Sequence, residues 1–231
     1  MKEKHIIEID SFRAFAILSV LLFHYFKHFY PGVTSFLLFG WTGVDLFFVI
    51  SGFVMYLQFQ RRYHREGVTE YGKYFWNRFL RIAPAYYVSL LAEIVFFHPD
   101  KFLSMNFFFH LTFTNIISYK VAFSIQPIYW TLAVEAQFYI FLILFGKIFL
   151  GKKGYLSLSV IVALSFIYRY IVSAVFGFSN TGVLLIDHLP GRFPEFCYGI
   201  LIAKLYMKDD LWDCLTRRVL FTLPLFIVGL I

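Results

Sequence analysis

Residues 10–24 read DSFRAFAILSVLLFH, an apolar run typical of a membrane-spanning helix, and they include Asp10, Arg13 and His24. Ionisable groups at such a depth cost roughly 2.5–3.5 kcal/mol on insertion scales, so they are rare and usually functional. Arg13 and His24 are eleven residues apart. At about 100° per residue this spacing returns to nearly the same helix face, ~16 Å along the axis. One face therefore carries a cation near one end and an imidazole most of the way across, which favours a reaction site that reaches into a membrane.

The composition places the whole chain in the same class. Of its 231 residues 60% are hydrophobic and 15% are charged, and the mean hydropathy is +0.70, whereas a soluble domain has about 45–50% apolar and about 25% charged residues. The net charge is +7, and the lysines and arginines lie mostly in turns between apolar runs. In such turns they determine the orientation of the protein in the membrane and contact anionic lipid. We therefore predict an all-α, polytopic integral membrane helix bundle whose partners include the lipid bilayer and no nucleic acid.

Seven apolar runs are candidate spans, since a span needs about 20 apolar residues. They are residues 12–30, 37–57, 82–97, 128–149, 155–176, 193–206 and 219–231. Because the last run stops after thirteen residues, we expect the chain to be a C-terminally incomplete piece of a longer protein. No repeat or linker divides the chain, so we predict one transmembrane domain over residues 1–231.

Positive charge decides the predicted orientation. Lysines and arginines gather at residues 1–4, 58–81, 147–153 and 204–218, and the positive-inside rule puts all four stretches on the cytoplasmic side. Residues 102–119, an apolar stretch interrupted by Asn106, His110 and Asn115, then cannot cross. We predict that this stretch is re-entrant or lies on the outer surface against protein. The N-terminus is then cytoplasmic, and residues 31–36, 98–126 and 177–192 form outer loops.

The ionisable residues in the candidate spans each have a structural interpretation as well as a functional one. Asp10 and Arg13 are three residues apart and can pair on one face, which would only neutralise them at the inner interface. His24 is either a packing residue with one hydrogen bond or a titratable group oriented by a carboxylate. Glu135 lies at a depth that matches His24, about two turns from the outer end of its span. It could therefore pair with His24 or simply bond a neighbouring helix.

Two further clusters carry charge. Arg78 and Arg81 open a helix and form a forked site for phosphate, assisted by the helix dipole; the alternative is an ordinary cytoplasmic anchor. Asp45 is a second acid within a span, in the sequence GWTGVDLFFVISGF at residues 40–53, where small residues predict close helix contact. No His, Cys and Asp cluster has metal-ligand spacing, so we expect no metal.

Together these motifs resemble the membrane-bound acyltransferases of the acyltransferase-3 kind, which include the O-acetylases of bacterial surface polysaccharides. The resemblance covers nearly the whole chain. It rests on EIDSFRAFA at residues 8–16 followed by His24, GVDLFFVISGF at 43–53, RFLRIAP at 78–84, YWTL at 129–132 followed by Glu135, Phe138 and Tyr139, and LPGRFPEF at 189–196 followed by Gly199.

The resemblance implies a multi-pass protein of the bacterial inner membrane that transfers an acyl group. The donor would be cytoplasmic acyl-CoA, most simply acetyl-CoA, and the acceptor a hydroxyl of a glycan or lipid-linked saccharide on the outer side. It implies that Arg78 and Arg81 handle the donor and that His24 and Arg13 are essential. The remaining expected site residues are Asp10, Asp45 and Glu135 for catalysis, and Trp130, Tyr139 and Arg192 for substrate binding.

The resulting hypothesis is that His24, oriented by Glu135 or Asp45, acts as general base on the acceptor hydroxyl or carries the acyl group transiently. Two other classes remain. Buried Asp, Arg, Glu and His also mark the ion or proton relays of transporters and flippases, and a non-catalytic scaffold subunit would need none of these residues aligned.

Overall fold

The computed structural model describes residues 7–30, 40, 42–66 and 71–207. Within these residues the regular structure is helical, and no strand occurs among them, so the predicted all-α class is confirmed. The α-helices are α1 (Ile7–Phe29), α2 (Thr42–Glu66), α3 (Tyr71–Phe97), α4 (Met105–Leu111), α5 (Tyr119–Ala122), α6 (Tyr129–Phe145), α7 (Lys153–Phe176), α8 (Asn180–Asp187) and α9 (Leu189–Tyr206). Short 3-10 helices lie at Pro99–Lys101, Asn115–Ile117 and Gly146–Phe149.

Among the described residues, four helical segments are long and apolar enough to cross a membrane: Ile9–Lys27, Thr42–His64, Tyr129–Phe149 and Lys153–Phe176. They correspond to four of the seven predicted runs. Residues 82–97 form a shorter apolar helix within α3, and residues 193–206 lie in α9, which is not among the four. The run at 219–231 lies outside the described residues. The polytopic character is therefore supported, while the number of seven spans stays a prediction.

The stretch between α3 and α6 is built from short helices, none long enough to cross. Two of these helices have a serine as N-cap: Ser104 Oγ accepts a hydrogen bond from the Phe107 amide at 3.3 Å, and Ser118 Oγ accepts one from the Val121 amide at 3.4 Å. Such caps satisfy amide donors that a helix start leaves open. The prediction that residues 102–119 do not form a span agrees with this arrangement, and the side of the membrane on which they lie stays a prediction.

The segment predicted as an outer loop at residues 177–192 contains a short helix, and the side of the membrane on which it lies stays a prediction. α7 ends at Gly177, whose φ of +56° lies in the left-handed region. Ser179 then begins α8 by accepting from the Gly182 amide at 3.1 Å, and α9 starts at Leu189. The sequence pattern missed α8 because eight residues are too few to show a clear helical period.

The described residues divide into two compact units, one containing those before residue 58 together with residues 195–207, and the other containing those between residues 58 and 194. In the first unit, α1 packs against the start of α2, which in turn packs against the end of α9. A Cβ on Gly52 would overlap the Phe196 carbonyl oxygen, and one on Gly199 would overlap the Val49 carbonyl oxygen. Only glycine allows this approach, which confirms the close helix contact predicted from the small residues.

The second unit has its core where α3 and α6 meet the short helices between them. Its buried side chains are Tyr86, Leu90, Ile94, Phe107, Ile125 and Tyr129. Two tyrosines of α3 tie these short helices down: Tyr86 donates to the His110 carbonyl at 2.8 Å, and Tyr87 to the Leu111 carbonyl at 2.9 Å. The backbone of this irregular stretch is thus bonded to α3.

Candidate functional site

Asp10, Arg13 and His24 lie on one unbroken helix. α1 runs from Ile7 to Phe29, so the ~16 Å separation of Arg13 and His24 on nearly one face follows from helix geometry. Arg13 is half-buried, and Asp10 and His24 are exposed. The His24 ring lies edge-on to Phe23, with centroids 5.3 Å apart. The structure therefore provides the continuous helix that the proposed arrangement requires.

Asp45 belongs to the same unit as α1. It lies in the first turn of α2 and is only 6% exposed, close in sequence to the fully buried Ser51. A carboxylate at a helix N-terminus is stabilised by the helix dipole. This placement explains how an acid is held at low exposure inside a candidate span.

Arg78 and Arg81 lie on α3, which runs through both positions. Their side chains lie outside the described part of the structure, so the forked phosphate site stays a prediction. In the structure α3 begins at Tyr71, several residues before the arginines. The basic stretch around the arginines is therefore part of the same helix as the apolar residues that follow, and it does not form a loop. The two arginines are therefore not at the helix N-terminus, and the dipole contribution expected for them is wrong.

Glu135 is buried within α6, at 2% exposure. The hydroxyl of Tyr139, one turn later on the same helix, donates to Glu135 Oε1 at 2.9 Å. Hydrogen bonds to an ionised acceptor are roughly twice as strong as neutral ones. Tyr139, which the sequence analysis assigned to substrate binding, thus holds the carboxylate assigned to catalysis.

Trp130 and Arg192, both predicted to bind substrate, are brought together by the fold. The Arg192 guanidinium carbon lies 5.6 Å from the centroid of the Trp130 ring, a cation–π distance. Nε and Nη2 of Arg192 both donate to Asp187 Oδ1, at 3.1 and 2.5 Å. All three residues are buried, and the guanidinium is held between an indole ring and a carboxylate.

A cavity of about 410 Å³ lies beside Tyr139, within the range of about 300–1,000 Å³ typical of small-molecule sites. Its lining comes from α3, α6 and residues 111–114 and is mostly apolar; Phe113, Gln137 and Tyr139 are part of it. Because Tyr139 both lines the cavity and bonds Glu135, the cavity and the buried carboxylate share one side chain.

Two polar residues of the short-helix stretch, His110 and Asn115, are completely buried, which the sequence analysis did not predict. His110 Nδ1 bonds the Asn106 carbonyl at 2.8 Å, and its ring lies edge-on to Tyr129. In the part of the chain that the structure describes, His110 Nε2 and both amide atoms of Asn115 have no hydrogen-bond partner. Burial lowers the pKa of His110; the hydrogen bond to the Asn106 carbonyl opposes this effect in part, and nearby Lys101 adds a smaller lowering.

Sequence reasoning also missed Asp187, the partner of Arg192. The residues are five apart and separated by a break between α8 and α9, so no helical spacing pointed to the pair. The Glu135–Tyr139 bond, by contrast, joins residues four apart on one helix and follows the usual side-chain spacing. No group of three or more His, Cys, Asp or Glu within the described residues could hold a metal ion.

Comparison with known proteins finds relatives that are named as acetyltransferases. The chain is 28% identical over 213 residues to the peptidoglycan O-acetyltransferase OatA of Listeria monocytogenes, covering 84% of this chain and 31% of the relative. It is 31% identical over 219 residues to a protein of Acidianus two-tailed virus named provisionally as an acetyltransferase, covering 92% and 62%. A provisionally named O-acetyltransferase of Staphylococcus aureus (strain COL) is 24% identical over 229 residues, covering 90% and 37%.

The chain therefore spans between about a third and somewhat under two thirds of the length of these curated relatives. No solved structure matches it significantly. The family model described as an acyltransferase domain matches residues 6–231, nearly the whole chain. This match includes all five motifs, and the chain belongs to the acyltransferase-3 family of acyltransferase domains.

Proposed function

We propose that this chain is the membrane domain of an O-acyltransferase that moves an acyl group, in the first instance acetyl, from cytoplasmic acyl-CoA to a hydroxyl of a cell-surface or periplasmic glycan. The observation that carries the proposal is α1, one continuous helix with Arg13 and His24 on nearly the same face. Membership of the acyltransferase family and the O-acetyltransferase names of relatives support the chemistry.

In the proposed reaction the acceptor hydroxyl oxygen attacks the thioester carbonyl, an ester bond forms and the carbon–sulfur bond breaks. His24 takes the hydroxyl proton as general base and returns it to the leaving thiolate, which gives free CoA. In the other version His24 attacks the thioester first, and the hydroxyl then attacks the acyl-imidazole. A search for acylated His24 after donor is added without acceptor distinguishes the two.

Donor binding is assigned to Arg78 and Arg81, because paired guanidinium groups suit the phosphates of CoA. Arg81→Ala should raise the apparent KM for acetyl-CoA while expression stays unchanged. Arg61→Ala, an exposed position on α2, is the matched control for lost positive charge. If Arg81→Ala changes only the amount of folded protein, the two arginines are a membrane anchor.

The acidic residues Asp10, Asp45 and Glu135 are assigned to the catalytic site with Arg13, and Trp130, Tyr139 and Arg192 to substrate binding. Two observations support the assignment. Glu135 and Asp45 are held at low exposure in candidate spans, where an acid is costly without a role. Trp130 and Arg192 contact each other in one buried cluster, which supports a shared role for the two residues.

The proposed topology has seven spans, a cytoplasmic N-terminus, and residues 98–126 on the outer side of a bacterial inner membrane. The four candidate spans and the short helices between α3 and α6 support it. A reporter fused near Lys120 of the full-length protein should read as outside the cytoplasm. A cytoplasmic reading at that position would contradict this topology.

The reaction itself is tested by its stoichiometry. Membranes containing the full-length parent protein receive acetyl-CoA labelled in the acetyl group, and free CoA thiol and alkali-labile ester label are both counted. Acyl transfer predicts that each ester formed is matched by one thiol released. A transporter or flippase would move glycan without consuming the donor, and that outcome would overturn the proposal.

A further inference from the structure

The corner between α8 and α9 carries both Asp187 and Arg192, and its backbone is bonded by side chains of α7. Ser165 Oγ donates to the Pro190 carbonyl at 2.5 Å, and Arg169 Nε donates to the Gly191 carbonyl at 2.6 Å. Earlier in the corner, the Tyr168 hydroxyl donates to the Leu185 carbonyl at 3.0 Å. Three polar residues within about one turn of α7 thus bond the backbone on both sides of Asp187.

The Ser165 bond has a specific cause in the sequence of α9. In an α-helix the carbonyl of residue 190 would accept from the amide of residue 194, but residue 194 is proline and has no N–H. A carbonyl left without its helical donor at a partly buried position is destabilising unless another donor bonds it. The buried Ser165 hydroxyl supplies the missing donor, so α7 completes the first turn of α9.

The corner is also fixed from within. A Cβ on Gly191 would overlap the Ile186 carbonyl oxygen, so only glycine permits the approach of the two chain segments. His188 adds a bond to the short helix Asn115–Ile117, donating from Nε2 to the Ile116 carbonyl at 2.8 Å. Arg192 follows directly after this immobilised backbone, between Asp187 and the Trp130 ring.

We propose that Arg169 and Ser165 are positioning residues, which act on the reaction only by fixing where the Arg192 guanidinium lies over Trp130. The inference rests on the proposed function for the acceptor-binding role of Arg192. An arginine in a candidate span is costly, and most of the surrounding α7 surface is exposed. The hydrogen bond from Arg169 to the Gly191 carbonyl explains why a charged side chain is present at this position.

The test compares Arg169→Gln, Arg169→Lys and Ser165→Ala in the full-length protein, with Tyr170→Phe as control. Tyr170 neighbours Arg169 but is 75% exposed. Arg169→Gln should lower ester formation about ten- to a hundredfold, because small misplacements of a binding group reduce rates by such factors. Arg169→Lys should restore part of the rate, and Tyr170→Phe should leave it unchanged.

The same substitution made in an Arg192→Lys protein distinguishes a positioning role of Arg169 from a role in folding. In a protein that already carries Arg192→Lys, adding Arg169→Gln should change the rate less than about twofold, since residues that act through one contact are not additive. A purely structural role would reduce the rate by the same factor in both backgrounds, and that result would overturn the proposal.

The fluorescence of Trp130 reports the geometry without any enzymatic activity. With the other tryptophans changed to Phe, Arg169→Gln should shift Trp130 emission in the same direction as Arg192→Lys, and Tyr170→Phe should not. An unchanged emission would overturn the positioning proposal. If emission shifts but the wild type forms no ester, the positioning role stands and the proposed function fails.

Discussion

Tyr139 donates its hydroxyl to Glu135 at 2.9 Å, and both side chains are buried on one face of α6. A carboxylate at 2% exposure needs hydrogen-bond donors to remain stable, because an unpaired buried charge is costly. The same tyrosine lines the 410 Å³ cavity. The residue that bonds the acid therefore also borders the cavity.

Replacing Tyr139 by Phe should remove this bond while keeping the ring in the cavity wall. A hydrogen bond contributes about 0.5–1.5 kcal/mol, or about 1.5–3 kcal/mol where the acceptor is charged, so we expect the free energy of unfolding to fall by about 0.5–3 kcal/mol and ester formation to slow. Unfolding in SDS and the labelled-acetyl assay measure the two effects. A Tyr139→Phe protein with unchanged stability and rate would show that the bond has no role.

The buried Asp187–Arg192 pair predicts an asymmetry between single and double variants. Asp187→Asn should be strongly destabilising, by about 3–5 kcal/mol, because it leaves a buried guanidinium without its carboxylate. The double variant Asp187→Leu with Arg192→Met should recover most of the stability, since apolar replacements of buried ion pairs are often neutral. Ester formation should not recover, because the cation over Trp130 is gone.

Stability and activity must be measured on the same preparations of these variants. Full activity in the stable double variant would contradict the assignment of Arg192 to substrate binding. Equal stability of the single and double variants would instead contradict the description of the pair as isolated from solvent.

Stability should depend on pH through His110. Its pKa is lowered in the folded protein by burial, so the unfolded chain binds a proton more readily and folding loses free energy as pH falls. The loss should begin near pH 6.5, about the ordinary value of histidine, and end below the lowered folded-state pKa. His110→Leu should remove this part of the slope between pH 7 and pH 5 in SDS unfolding, with His98→Leu as control. An unchanged slope would show that His110 is not held neutral.

The glycine contact between α2 and α9 predicts a steric effect. Gly52→Ala would place a Cβ against the Phe196 carbonyl oxygen, and overpacking of this kind costs about 1–3 kcal/mol. Because backbone rather than a flexible side chain blocks the space, we expect a lower melting temperature in detergent. Val54→Ala, nearby on α2 and only partly buried, controls for general effects of substitution there. An unchanged melting temperature for Gly52→Ala would contradict the close approach.

The sequence predicted the helices wherever an apolar run was long. The bounds predicted for the runs at residues 128–149 and 155–176 differ from those in the structure by at most two residues. Such runs are easy to recognise because a helix needs about 20 apolar residues to cross a bilayer. The close contact at Gly52 was also predictable, since small residues in a span have few other uses. Helix α8 was missed because its eight residues give too short a pattern.

The candidate site was predicted as individual residues and not as contacts. Trp130 and Arg192 were chosen for their motifs, but their contact depends on the corner between α8 and α9, which no spacing in the sequence shows. Asp187 and Ser165 were missed for the same reason: their roles arise from partners brought close by folding. The Ser165 bond could have been anticipated only after Pro194 was known to lie inside a helix.

The most direct test of the account compares His24→Ala with His64→Ala in membranes of the full-length parent protein. His64 is an exposed histidine on another helix and controls for the loss of an imidazole. With labelled acetyl-CoA and matched expression, the account predicts that alkali-labile ester label disappears in His24→Ala and persists in wild type and His64→Ala. Equal ester label in His24→Ala and wild type would contradict acyl transfer centred on His24.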